Sequence, residues 1–382
     1  MRWRGGRGCD RWRNQIAEIP ADPGRSLTRE VEARLTALGW GEPFRSAWAA
    51  YEGEGDRVGR VTAEFRGGYV VGTGEGELEA VMCGRLRFAS ARGEASRPAV
   101  GDWVVLGSAS GRQRAPVYHV LPRKTRLARK AAGDRATEQV IAANVDLVFV
   151  VSSLDRDLNL RRLERYLTVV RESGAAPVIV LSKADLCSAP AAAAGAVETA
   201  APGVPAHVVS AVTQVGLADL ERHLEPGRTV ALLGSSGVGK STLINHWLGY
   251  EKQAVGPMRA IGKGRHTTTH RELVALPGGA LVIDTPGMRE IGLLAEDAQG
   301  LAEAFPDVVA LATGCRFRDC THDCEPDCAV RAAVDRGALP RERLESFRKL
   351  HREVALAEAR RREGQRARAR GGRAGATRRT RR

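Results

Sequence analysis

The stretch GSSGVGKS at residues 234–241 constrains this chain more than any other. It follows the apolar run TVALL and precedes the helix-like STLINHWL, so it reads as a glycine-rich loop joining a buried strand to a helix. Gly234, Gly237 and Gly239 let backbone amides turn inward toward a β-phosphate. Lys240 places a cation between β- and γ-phosphates, and the Ser241 hydroxyl suits a Mg²⁺ ion. A loop of this kind needs a mostly parallel α/β sheet behind it, and the apolar runs VDLVFVVSS, APVIVLSKAD, AHVVSA and ALVIDTPG around it read as buried parallel strands.

Three further segments have chemistry that fits this loop. DTPG at 284–287 ends the strand ALVI, 44 residues after Lys240, where Asp284 can hold Mg²⁺ through water and the Gly287 amide can reach a γ-phosphate. GKGRHTTTH at 262–270 offers threonine hydroxyls for the same ion, Thr268 first and Thr267 second. LSKAD at 181–185 suits base choice: Asp185 can accept two hydrogen bonds from the N1 and N2 donors of guanine, which adenine lacks, while the Lys183 stem can lie over the base. Ser210 and Ala211 end another strand, where an amide can meet guanine O6. Taken singly, DTPG and LSKAD read equally well as strand-ending turns. Together they gain weight, but their order along the chain is unusual, because the base motif precedes the phosphate loop.

On either side the chain changes character. Residues 27–38 predict one short amphipathic helix with Ser26 as cap and Gly39 as stop. From 56 to 121, five short β-like runs separated by Gly, Ser and Pro predict a small closed barrel, with the OB-fold as the first choice. The net charge of +14 sits mainly in two tails: residues 360–382 hold eleven arginines against Glu363, and residues 1–13 hold five against Asp10. Both read as disordered basic extensions. Residues 112–135 carry eight Arg or Lys against Asp134, which suits either a phosphate grip or a solvated linker. Four of the seven cysteines crowd into CRFRDCTHDCEPDC at 315–328, a density that suits zinc. Spacing leaves five ligands, Cys315, Cys320, His322, Cys324 and Cys328, for four places. Cys9, Cys83 and Cys187 are scattered and read as inert.

The succession SKAD, SA, GSSGVGKS, TTT, DTPG, between a small barrel and a Cys/His cluster, resembles the circularly permuted ribosome small-subunit-dependent GTPase A (RsgA) family over residues 35–350. Ends that lie close in a compact α/β domain allow such a rewiring while the pocket is kept. The resemblance implies a multidomain protein: an N-terminal OB-fold barrel, a central permuted P-loop GTPase domain and a C-terminal helical zinc-binding domain. The segments are 1–26 basic extension, 27–55 helical preface, 56–122 barrel, 123–297 GTPase, 298–358 zinc domain and 359–382 basic tail. It also implies GTP contacts from Ser182, Lys183, Asp185, Ser210, Ala211, Gly234, Ser235, Ser236, Gly237, Val238, Gly239, Lys240, Ser241, Thr242 and Gly287. Mg²⁺ would sit on Ser241, Thr268 and Asp284, and one structural Zn²⁺ on Cys315, Cys320, His322 and Cys328, with a four-cysteine site through Cys324 as the alternative. His266 and Lys240 are the catalytic candidates. The chain departs from the usual pattern where Ser182 stands for an asparagine, which predicts a weaker hold on loop and base. Met288, where other GTPases place a water-orienting glutamine, leaves that task to His266.

The implied activity is GTP hydrolysis in late maturation of the small (30S) ribosomal subunit, slow alone and stimulated by the subunit, with rRNA, GTP and GDP as further partners and a monomeric chain. A P-loop ATPase, indifferent to Asp185, and a nucleotide-gated RNA-binding switch with little turnover are the competing readings. No run of eighteen apolar residues occurs and the arginine-rich start lacks an apolar continuation, so no membrane association and a cytoplasmic location are expected.

Overall fold

The computed structural model describes residues 27–51, 57–108, 114–130, 138–155, 158–249, 271–284, 298–352, 354–355 and 359. The preface is two helices rather than one, α1 (Arg29–Ala37) and α2 (Glu42–Ala49). Thr28 caps α1, accepting from the Val31 amide, and Ser26 lies outside the described residues. Gly39 ends that helix at φ +83°, a left-handed turn that costs glycine little. The second helix was hidden because its start, Gly-Glu-Pro, gives no side-chain cap.

Next come β1 (Arg57–Phe65), β2 (Gly68–Thr73), β3 (Gly76–Met82), α3 (Gly84–Ala91), β4 (Trp103–Leu106) and β5 (Ala115–Val120). Strand β1 pairs with both β2 and β4, β2 with β3, β3 with β5 in parallel, and β5 with β4, so the five-stranded ring is closed. This is the OB arrangement, with its helix between the third and fourth strands. Alternation puts Val61, Val71, Val104, Leu106 and Val117 inside. The run ELEAVMCGRLRF, read as one strand, breaks at Cys83, whose sulfur caps α3 by accepting from the Leu86 amide.

Trp40, Phe44 and Trp48 of the preface pack with Trp103 on the outside of the barrel. Beneath them the fully buried Arg60 donates to the carbonyls of Leu38 (2.5 Å), Gly101 (3.1 Å) and Asn144 (3.0 Å), tying preface, barrel and the following domain together. Burial lowers its pKa to about 10, still high enough to keep the cation. Within the basic strip at 112–135, Arg123 pairs at 2.6 Å with the buried Asp102, Arg114 pairs with Glu79 at the surface, and Lys124 lies 4.7 Å from the Phe44 ring.

After the hairpin β6 (Arg126–Lys130) and β7 (Glu138–Ala143) comes the α/β domain. Its elements are β8 (Leu147–Ser153), α4 (Leu160–Glu172), β9 (Ala176–Ser182), α5 (Pro190–Ala200), β10 (Ala206–Val208), α6 (Leu217–Glu221), β11 (Thr229–Leu233), α7 (Lys240–Leu248), β12 (Glu272–Ala275) and β13 (Leu281–Asp284). Spatial order is β10-β9-β8-β11-β13-β12, parallel except for β12 against β13. The strand carrying the phosphate loop, late in the chain, thus stands in mid-sheet, between the strands that lead toward the base and toward Asp284. At its edge β12 meets β1 of the barrel at Glu272 and Ala63.

The chain closes with α8 (Ala298–Ala304), α9 (Pro306–Ala312), α10 (Ala329–Asp335) and α11 (341–352), packed around Phe305, Val308, Val330 and Phe347. Arg343 on α11 anchors this module to the α/β domain. It donates to Glu164 of α4 (2.7 Å), to Asp307 (2.9 Å) and to the carbonyls of Ala200 (2.5 Å) and Ala304 (3.0 Å), while the Ser346 hydroxyl also reaches Glu164. Arg343 and Glu164 are both buried. Burial disfavours the charge on Arg343, but its hydrogen bonds to Asp307 and Glu164 outweigh that and hold its pKa above the ordinary value.

Candidate active site

The phosphate loop leaves β11 and is forced into shape by glycine. Gly234, Gly237 and Gly239 stand at φ +155°, +80° and +100°, and a Cβ on Gly234 would lie 2.2 Å from the Val151 carbonyl of β8. Lys240 opens α7 and donates to the carbonyls of Gly234 and Ser235, both at 2.6 Å, so its ammonium lies inside the loop's curve. Ser236, Ser241 and Thr242 are exposed, Ser235 is half-buried and Val238 is buried as the loop's apolar foot. An N-terminal helical turn headed by amides and an inward ammonium is an anion-binding arrangement.

Two strands away, β9 ends at Ser182. Its buried hydroxyl donates to the Val238 carbonyl at 2.5 Å, across 56 residues of sequence, and lies 3.4 Å from the Ser152 carbonyl. The end of β9 comes close enough to the loop for a one-carbon side chain to brace it. Lys183 follows in the left-handed region (φ +57°) and pairs at 2.7 Å with Asp155, which also accepts from Ser153. Asp185 accepts from the Ser210 hydroxyl at 2.5 Å, and the Thr213 amide donates to that same hydroxyl. The Ala184 amide bonds the Val209 carbonyl, so the loops bearing Asp185 and Ala211 are laced together. Asp155 escaped sequence reading; LDRD matches no phosphate or base motif, and only the fold sets it beside Lys183.

Asp284 ends β13 next to β11, at the same end of the sheet as the phosphate loop. His266, Thr267, Thr268, Gly287 and Met288 lie outside the described residues, as does Cys9.

In the C-terminal module, Cys315, Cys320, His322 and Cys328 bring one donor atom each to within 4.8 Å of one another. Cys315 Sγ stands 3.9 Å from Cys328 Sγ and 3.6 Å from His322 Nδ1, and Cys328 Sγ stands 3.5 Å from that nitrogen. A tetrahedral ion with metal–sulfur bonds of about 2.3 Å and a metal–nitrogen bond of about 2.0 Å requires about 3.8 Å between sulfurs and about 3.5 Å from sulfur to nitrogen. The set can therefore hold a metal ion. Cys324 is exposed and outside the set. His322 takes a left-handed backbone (φ +59°) to turn inward, and burial lowers its pKa, which keeps the ring in its neutral, ligating form. Burial opposes ionisation of Cys315, but the amides of Val330 and Ala329 at the start of α10 outweigh it and lower its pKa; Cys320 is pushed up to about 12 by its own burial. Three thiols so close cannot all ionise without a shared cation.

Residues 120–294 match the RsgA GTPase family. The chain is 50% identical over 332 residues to the small ribosomal subunit biogenesis GTPase RsgA of Opitutus terrae, covering 85% of this chain and 90% of that one. It is 45% identical over 323 residues to the RsgA of Streptomyces coelicolor, covering 84% and 86%. Among solved structures it is similar to YjeQ from Thermotoga maritima (TM-score 0.60, 25% identity, 78% of this chain and 99% of that one). It is also similar to YloQ, a circularly permuted GTPase (TM-score 0.57, 25% identity, 79% and 96%). With its closed barrel, its permuted sheet and 50% identity to such a relative over 332 aligned residues, this chain belongs to the RsgA GTPase family.

Proposed function

We propose that this chain hydrolyses GTP in the late maturation of the small (30S) ribosomal subunit, turning over slowly alone and faster on the subunit. The observation that supports this best is the hydrogen bond from Ser182 to Val238, which joins a base-reading loop to a phosphate loop across the permuted sheet. Curated relatives named for small-subunit biogenesis supply the partner.

In this reading the amides of residues 234–242 and the Lys240 ammonium bind the β- and γ-phosphates. Asp185 exchanges its Ser210 partner for the two donors of guanine, the Lys183 stem covers the base and the Ala211 amide meets O6. Ser241, Thr268 and Asp284 would hold Mg²⁺, which would supply positive charge to the phosphates. Water attacks the γ-phosphorus, the bond to the β-phosphate oxygen breaks, and GDP and phosphate leave. Lys240 and the loop amides stabilise the charge that develops, with the Gly287 amide at the γ-phosphate. His266 orients the water, a task the apolar Met288 cannot perform. Cys315, Cys320, His322 and Cys328 would hold one zinc ion, which would stabilise the fold of the C-terminal module, and the chain acts as a cytoplasmic monomer without a membrane. Among the described residues no helix is long and apolar enough to cross one.

The test is turnover of GTP and ATP with and without purified small subunits. GTP-selective turnover that rises with subunits is expected, and equal use of ATP would sink the guanine assignment. His266→Ala should keep subunit binding while losing about 2–4 kcal/mol of stimulated barrier lowering; full stimulated turnover in that variant would move the role to the ribosome.

A further inference from the structure

OB barrels ordinarily take nucleic acid on the face of strands two and three. In this chain that face is closed to it. The outward positions of β2 are Gly68, Val70 and Gly72, and Leu38, the residue that caps the end of α1, already sits where a Cβ on Gly72 would point, at 3.0 Å. The β2–β3 turn and β3 then present Glu75, Glu77 and Glu79, of which Glu75 pairs with Arg57 and Glu79 with Arg114. Three carboxylates against two arginines leave a small negative balance, and Leu38 covers the middle of β2, so this surface is poorly suited to a phosphate chain.

The helix α3, which crosses between β3 and β4, has the opposite character. It buries Leu86 and turns Arg85, Arg87, Phe88 and Arg92 outward. Spacings of three and four place Arg85, Phe88 and Arg92 on one stripe, with Arg87 beside it. Phe88 is 64% exposed, unusual for so large an apolar ring, and the Arg92 guanidinium, held by Glu94 at 2.6 Å, lies 5.5 Å from its centre. An exposed aromatic framed by arginines is the surface on which an unpaired base stacks while its neighbouring phosphates are neutralised.

We propose that α3, not the β2–β3 face, is where this barrel grips RNA, with an unpaired base stacked on Phe88 and flanking phosphates on Arg85 and Arg87. This rests on the ribosomal reading above and assigns it a surface. Binding of the full chain, loaded with a non-hydrolysable GTP analogue, to purified small subunits would be measured from low to high salt. Phe88→Ala should weaken binding about five- to 150-fold at every salt concentration, and Phe88→Trp should restore it. Arg85→Gln with Arg87→Gln should flatten the slope of log affinity against log salt by about 1.4, the share of two single-strand phosphates. Glu77→Gln with Glu79→Gln should leave affinity within about twofold, and basal GTP turnover should stay unchanged in all of these variants. A photoreactive phenylalanine analogue at position 88 should cross-link to rRNA. Unchanged binding by the Phe88 and arginine variants, or a cross-link to ribosomal protein, overturns the assignment while leaving the ribosomal reading intact. Failure of the unaltered chain to bind subunits overturns both.

Discussion

The cysteine cluster and the nucleotide pocket are built on opposite principles. The cluster's four donors come from residues 315–328 and are gathered by one loop and the start of α10. The pocket is assembled from the ends of strands that are neighbours only in space: Ser182 braces Val238 across 56 residues, and Asp155 holds Lys183 across 28. A local site of this kind would depend on a bound ion, because so short a segment buries little apolar surface of its own. A dispersed site depends on the sheet. The two should therefore fail separately.

The largest effect should come from removing the metal. Structural zinc supplies on the order of 10 kcal/mol of apparent binding free energy in small modules, so chelation should unfold the 315–328 segment while GTP binding survives. Hydrogen exchange confined to that segment, alongside nucleotide titration, reads both halves; loss of GTP binding with the metal would show that the sites are not independent.

Next in size is the joint between the regions. Arg343→Met leaves Glu164 buried without its cation and should cost about 3–5 kcal/mol, seen as a lowered midpoint in denaturant unfolding. If the loss is confined to the C-terminal module, the α/β domain should keep its own transition.

Within the pocket, Asp185→Asn should weaken GTP binding at least tenfold, about 1.5–3 kcal/mol for charged hydrogen bonds, and favour xanthine nucleotides, whose altered ring matches the amide. Equal GTP affinity in that variant would remove Asp185 from the base site. The smallest effect should be that of Ser182→Ala. It leaves the Val238 carbonyl without its hydroxyl partner and should cost about 1–3 kcal/mol of stability if that oxygen stays dry. Its sharper readout is a loss of affinity for GTP and GDP alike, since the brace acts on the loop rather than on the γ-phosphate.

How much of this could be read in the residues follows the same division. GSSGVGKS, with its flanking strand and helix, and the dense CRFRDCTHDCEPDC are local patterns whose chemistry is bound to their spacing. Five short runs between turn residues were enough to expect a barrel. The second preface helix, α3 inside an apparent strand and the β6–β7 hairpin were not legible. Their starts have no capping box, or lie within apolar runs that suit strand and helix equally well.

The sequence alone determined the family, the order of the motifs and the donor types at both sites, because these are properties of residue identity and spacing. The gathering of Cys315, Cys320, His322 and Cys328 with Cys324 left outside, the brace from Ser182 to Val238, the tie of Lys183 to Asp155 and the spending of Arg123 on Asp102 were decided only by tertiary structure. Each depends on the distance between groups far apart in the chain, or on which way a left-handed turn aims a side chain, and that distance is set by strand order and packing rather than by any local pattern.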